Sequence, residues 1–170
     1  KKNCFEQTLT IKDDYRKSHN KNNDNYLYPL NETTSFKINK LFRKLTKNKI
    51  KEEKFLSIKG RKFNIKNHYE GVVRFNFNDL CNKNIGAEDY IKIAGICKYI
   101  LIENLPNFND NNSNQQQRFI TLIDIIYEKK VNLIISSDSN LNKLTSANNL
   151  REPFKRTLSR LYELTSSSSN

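Results

Sequence analysis

Two apolar runs, YILI at 99–102 and VNLII at 131–135, the second interrupted only by Asn132, bracket one amphipathic helix and leave the chain little choice of fold. Runs of this kind suit central strands covered on both faces, where no alternate residue has to meet water. Between them Phe119, Ile120, Leu122, Ile123, Ile126 and Tyr127 fall within an arc of about 160° at about 100° per residue. Gln117, Thr121, Asp124 and Glu128 take the other side. Strand, helix, strand in this order predicts a βαβ unit of parallel neighbours over about 99–136. The Asn-rich stretch 107–114 is its loop, and Ser113 or Asn114 is placed to cap the helix.

The rest of the chain arranges itself around that unit. FLSIKGRKFNI at 55–65 is apolar on either side of Lys59-Gly60-Arg61-Lys62, which predicts a hairpin. VVRFNF at 72–77 follows a turn at Glu70-Gly71, and its alternation predicts a strand with one buried face. A helix follows Gly86 with Glu88 and Asp89 in its first turn, where the helix dipole favours acids. Another follows Asn31, with Ile38, Leu41, Phe42 and Leu45 at i, i+3, i+4, i+7. The last helix starts near Pro153 and carries Phe154, Leu158, Leu161 and Tyr162. FEQTLTIKDDYR, at 5–16, reads as a strand entering a polar turn, 18–25 as a loop, and the charged 46–54 as a linker. The fold class is therefore α/β, with strands at 55–78, the βαβ unit and a C-terminal helix. Residues 1–54 form a basic strand-loop-helix segment ending in a linker, 55–165 an α/β subdomain, and 166–170 a loose tail.

Charge is unevenly spread. Residues 1–67 hold 18 Lys and Arg against 7 Asp and Glu, whereas 68–170 hold 12 against 11. The basic half reads either as a solvated face or as a footprint for nucleic acid or an acidic protein. The 3 cysteines are far apart and only 2 histidines are present, which argues against a disulfide framework, a zinc site or a Cys/His nucleophile. The chain opens Lys1-Lys2 and contains 0 Met, so residue 1 is expected to lie inside a longer protein. No apolar run approaches the ~20 residues needed to cross a bilayer.

Ligands of open α/β sheets bind beyond the carboxyl ends of the strands. Here those ends carry Glu103-Asn104 and Ser136-Ser137-Asp138. None of the 4 glycines belongs to GxxxxGK[ST], the loop whose N–H groups hold phosphates. The chain alone is therefore not expected to hydrolyse ATP, and no catalytic residue is assigned within it. Lys155, Arg156, Ser159 and Arg160 share the polar side of the last helix, with the two arginines at i, i+4. Like charges at that spacing are mildly destabilising unless an anion sits between them. They read either as a solvated face or as a contact for a phosphate or a partner carboxylate. Arg118 is a third candidate.

LYPLNETT (27–34), VVRFNFNDLC (72–81), GAEDYIKIA (86–94), RFITLIDIIYEKKVNLIISS (118–137) and FKRTLSRLYEL (154–164) together resemble the carboxyl-terminal part of the ZapE family of P-loop ATPases and their AFG-like mitochondrial relatives. The likeness runs from about Asp14 to Leu164. Arg118, Asp124 and Tyr127 match the family's RFI-x-L-x-D-x-x-Y pattern, and Arg156, Ser159 and Arg160 its R-x-x-SRL pattern. Leu164 stands where the relatives often have Met, a change that conserves volume. The Lys- and Asn-rich 17–67 matches least.

The resemblance implies a partial P-loop-type sheet whose phosphate-binding loop, acidic strand and sensor strand precede Lys1. The 99–138 unit would echo the last two without inheriting their roles, so Glu103 and Ser136 are not expected to be catalytic. It further implies an ATPase parent that binds ATP and Mg2+ through that preceding part and self-associates. Its clients would be proteins, of the division-ring type in bacteria or the respiratory-chain type in mitochondria. The implied location is cytoplasmic, peripheral at the inner membrane. Arg118, Arg156 and Arg160 would then pack, contact a neighbouring subunit or approach the nucleotide, with no metal ligand in this chain. The alternative, drawn from charge alone, is a non-enzymatic basic module for nucleic acid or an acidic protein, with the binding carried by residues 1–67.

Overall fold

The structure, a computed structural model, describes residues 23–166. The strand expected within the first fifteen residues, most of the loop at 18–25 and the end of the tail lie outside the described residues. In chain order the strands are β1 (Tyr26–Leu27), β2 (Lys51–Ile58), β3 (Arg61–Tyr69), β4 (Val72–Asn76), β5 (Tyr99–Leu105) and β6 (Asn132–Ser137). The helices are α1 (Glu32–Thr46), α2 (Phe77–Cys81), α3 (Ala87–Gly95), α4 (Ser113–Glu128) and α5 (Arg151–Thr165). The strands form one sheet in the order β1-β6-β5-β4-β3-β2. β1, β6, β5 and β4 are mutually parallel, and β3 and β2 continue antiparallel. The expected βαβ unit is present: β5 and β6 are neighbours, with Ile100 opposite Leu133 and Ile102 opposite Ile135.

The apolar runs find their reason in two separate cores. Ile100, Ile102, Leu133 and Ile135 face the larger core beneath α4, α5 and α3, while Leu101 and Ile134 point through the sheet to a smaller one. That second core is closed by α1, whose Ile38 meets Leu27, Val72, Leu101 and Ile134. Asn31 caps α1, accepting a hydrogen bond from the Thr34 N–H at 2.9 Å. In the larger core Phe77, Phe108, Phe119 and Phe154 form a ring cluster with centroids 5.6–5.9 Å apart. Such separations favour tilted and edge-on arrangements.

Several expectations change. The charged stretch taken as a linker is strand from Lys51 onward, so the boundary drawn at 54/55 falls inside β2. Its charges are those of a sheet edge, where Lys and Glu discourage further pairing. β4 is covered on both faces: Val72 enters the smaller core while Val73 and Phe75 enter the larger. Arg74, expected in solvent, lies over the Phe42 ring at 5.2 Å. Neither Ser113 nor Asn114 caps α4. Asn112 precedes it, and Asn109 accepts from the Asn111 N–H to cap a short 3-10 turn at Asp110–Asn112 that leads into the helix. β1, two residues long, has no periodicity to announce it.

Both hairpin turns have left-handed backbone at their two central residues, φ 48° and 77° at Lys59-Gly60 and 45° and 91° at Glu70-Gly71. That is the demand of two-residue turns whose twist matches the strands, and it explains the glycines. At the other end of the sheet the Asn25 N–H donates to the Thr165 carbonyl at 3.3 Å, tying the entry of β1 to the exit of α5.

Candidate functional site

The motif residues gather where α4 lies against α5. Asp124, on the flank of α4, faces α5 and receives both arginines. The Arg156 Nη2 donates to its Oδ2 at 2.8 Å, and the Arg160 Nη1 to its Oδ1. The anion that the i, i+4 arginine pair required is thus a carboxylate of the same chain. Arg160 also lies over the Tyr127 ring, 4.7 Å from its centroid, a cation–π contact. The Tyr127 hydroxyl in turn donates to Glu163 Oε2 at 2.7 Å. That bond, and the Glu163 charge behind it, hold the phenol proton and raise the Tyr127 pKa. The Ser159 hydroxyl donates back along the helix to the Lys155 carbonyl at 3.3 Å.

The arginines differ in what they can still do. Arg160 has a side chain 21% exposed and two partners, whereas Arg156 is 59% exposed and holds Asp124 by one bond. An exposed single-bonded pair is weak and readily exchanged. Arg118 stands apart: its Nη1 donates to the Cys81 carbonyl at 3.1 Å, at the end of α2. Cations suit that position, because the last carbonyls of a helix carry partial negative charge.

The strand ends form a second locus. A cavity of about 620 Å3 lies between the start of α1 and the carboxyl ends of β5 and β6, lined by Asn31, Glu32, Ser35, Glu103, Asn104 and Ser136 among others. A bulge at Glu103-Asn104, with Asn104 at φ 64°, interrupts the ladder. The Asn104 N–H donates to Ser136 Oγ at 3.1 Å, and the Ser137 hydroxyl to the Leu105 carbonyl at 3.2 Å. Glu103 is bound by Arg74 through both carboxylate oxygens.

The sequence does not disclose that Arg74 bond, because Arg74 and Glu103 sit on different strands and meet only once β4 and β5 are in register. Gln116 was likewise hidden within a Gln run. It is fully buried, donating to Ser146 Oγ at 2.7 Å and accepting from the Ala147 N–H at 2.9 Å. That amide anchors the loop leading to α5.

The order and identity of these motifs find their match among known proteins. The model of a family described as AFG1-like ATPase matches residues 6–169. The chain belongs to the AFG1-like ATPase family. Lactation elevated protein 1 homolog B of Danio rerio is 30% identical over 109 residues, 63% of this chain and 22% of that protein. Cell division protein ZapE of Escherichia coli K12 is 27% identical over 141 residues, 83% of this chain and 38% of that protein. The chain therefore covers well under half the length of these relatives. No solved structure matches it.

ATPases of this family imply a nucleotide and Mg2+, and the described residues do not fit that pair. The strand-end crevice presents two carboxylates, Glu32 and Glu103, to any polyphosphate. Glu103 is already engaged by Arg74. Gly60 and Gly71 serve hairpin turns, Gly86 caps α3 and Gly95 ends it, so none is left to cradle a phosphate. Among the described residues no group of three or more His, Cys, Asp or Glu is placed to hold a metal ion, and no helix is long and apolar enough to cross a membrane.

Proposed function

We propose that this chain is the carboxyl-terminal portion of an ATPase of the AFG1-like family, with ATP and Mg2+ bound by a preceding part of the parent. The observation that carries the reading is the family match over 6–169 in a chain without a phosphate-binding loop. On this reading the portion completes the fold, braces α4 against α5 through Asp124, and turns Arg156 toward a neighbouring subunit or a protein client. The ZapE relative is named a cell division protein, which supports a role of the parent in cell division with a protein client. Arg160 and Tyr127 hold the helix face in shape, and Arg118 fixes α2 beneath it.

The alternative, a non-enzymatic basic module that binds nucleic acid or an acidic protein through an arm over 1–67, receives less support. β1 pairs with β6, and α1 closes the smaller core, so much of that stretch is built into the fold. The test is ATP turnover and self-association of the intact parent carrying Arg156→Ala. Because that side chain is exposed, the variant should fold and lose association. Wild-type turnover and association in Arg156→Ala and in the Arg156→Ala/Arg160→Ala pair would remove the role.

A further inference from the structure

Arg156 and Arg160 on the α4–α5 face have carboxylate partners, as do Lys59, Arg61, Arg74 and Lys83. Helix α1 gathers lysines that have none. Lys37, Lys40 and Lys44, at i, i+3, i+7, share one exposed side, and none of them takes part in an ion pair among the described residues. The only acid on that helix is Glu32, in its first turn. All three lysines line a cavity of about 620 Å3 between α1 and β1, with Asp24, Tyr26 and Tyr28 on the opposite wall. Three like charges on one side of a helix, with the single carboxylate of Asp24 across the cavity, are unfavourable, and an anionic occupant relieves them.

We propose that this crevice docks an acidic protein segment in extended conformation. The lysines cover about 10 Å of helix at about 1.5 Å per residue, the length of roughly three residues of extended chain. Two carboxylates at alternate positions of such a segment, about 7 Å apart, fall within that length. The tyrosine wall suits a peptide better than bases. The Tyr26 hydroxyl donates to the Ser139 carbonyl at 2.8 Å, and the Tyr28 hydroxyl accepts from Asn140 at 2.9 Å. Their rings lie against each other, 6.0 Å between centroids. They stand as a fixed wall, not as free faces on which a single strand would stack. The chain's own residues 1–22 are a poor occupant, carrying 6 Lys and Arg against 3 Asp and Glu. The proposal is independent of nucleotide turnover in the parent.

The test is fluorescence anisotropy of a labelled Asp-Ser repeat peptide of about ten residues, titrated at low salt with the 170-residue chain. Neutralising the stripe (Lys37→Gln, Lys40→Gln, Lys44→Gln) should weaken binding about eightfold, each screened contact being worth a factor of about two. The same charge change at Lys129, Lys130 and Lys143 should alter it less than about twofold, and the charge-conserving Lys37→Arg, Lys40→Arg, Lys44→Arg variant should keep it. Circular dichroism melts confirm that each variant folds. Equal weakening in the two neutralised variants, or no binding of the peptide, overturns the site. A thymidine oligonucleotide held more tightly than the peptide, with the same dependence on the three lysines, assigns the surface to nucleic acid and overturns the proposal as well.

Discussion

Asp124 answers for two arginines at once, and its loss leaves both without a counter-charge. Arg160 suffers more, because its side chain is largely covered. Asp124→Ala should lower stability by about 1–3 kcal/mol, the cost of stranding a charged hydrogen-bonding group. Arg156→Ala should cost under about 1 kcal/mol, and urea titration of both variants separates the two. Glycines offer a second comparison. A Cβ at Gly60 meets nothing within 4 Å, so Gly60→Ala should cost only the left-handed backbone, about 1–2 kcal/mol. At Gly71 a Cβ would also come within 3.3 Å of the Lys98 side chain and 3.5 Å of its backbone N, so Gly71→Ala should melt lower than Gly60→Ala. The thiols give the pH dependence. Burial pushes Cys81 and Cys97 from 9.0 up to about 12. Both thiols stay protonated at neutral pH and should resist alkylation until the protein unfolds. Their pKa is raised in the folded state, so their contribution is complete below pH 9 and drains away toward pH 12. Denaturation followed across that window should show stability falling as pH rises. The arginines were legible by type and spacing. Their shared carboxylate was not, because it lies on another helix and only packing joins them.

The elements divide by how their surroundings mark the sequence. β5, β6 and α4 were readable because burial on both faces leaves continuous apolar runs and a wide helical stripe. β2 was not: an edge strand is spared the apolar pattern, and KEEK looks like a connector. Nor could β4 be read in full, since its second face is covered by α1, and Arg74 is hidden there by lying on Phe42 and binding Glu103. The smaller core rests on few side chains, so each matters. Leu101→Ala should cost about 2–5 kcal/mol through the cavity it leaves beneath α1. Phe108→Ala, removing the ring in contact with Phe77, Phe119 and Phe154, should cost about 3–5 kcal/mol. Thermal denaturation of the two variants reads both numbers.

Among the described residues the molecule is a sheet with unequal layers, several helices on one side and α1 alone on the other. Removing residues 1–54 would strip β1, all of α1 and the start of β2, exposing Val72, Leu101 and Ile134. Such a deletion should yield an aggregating chain without a cooperative melt, whereas a detachable arm would leave a folded remainder. The strand-end crevice was legible in position, since parallel sheets advertise their carboxyl ends. Its chemistry was not, because only the assembled sheet shows Glu103 spoken for and Ser136 holding a bulge. The hydrogen bond between Asn25 and Thr165 brings the entry of β1 and the exit of α5 to one corner of the unit. A circular permutant of residues 23–166, its two ends fused by a short glycine bridge and a new opening cut in the exposed turn between Lys59 and Gly60, should keep the same spectrum and a cooperative melt.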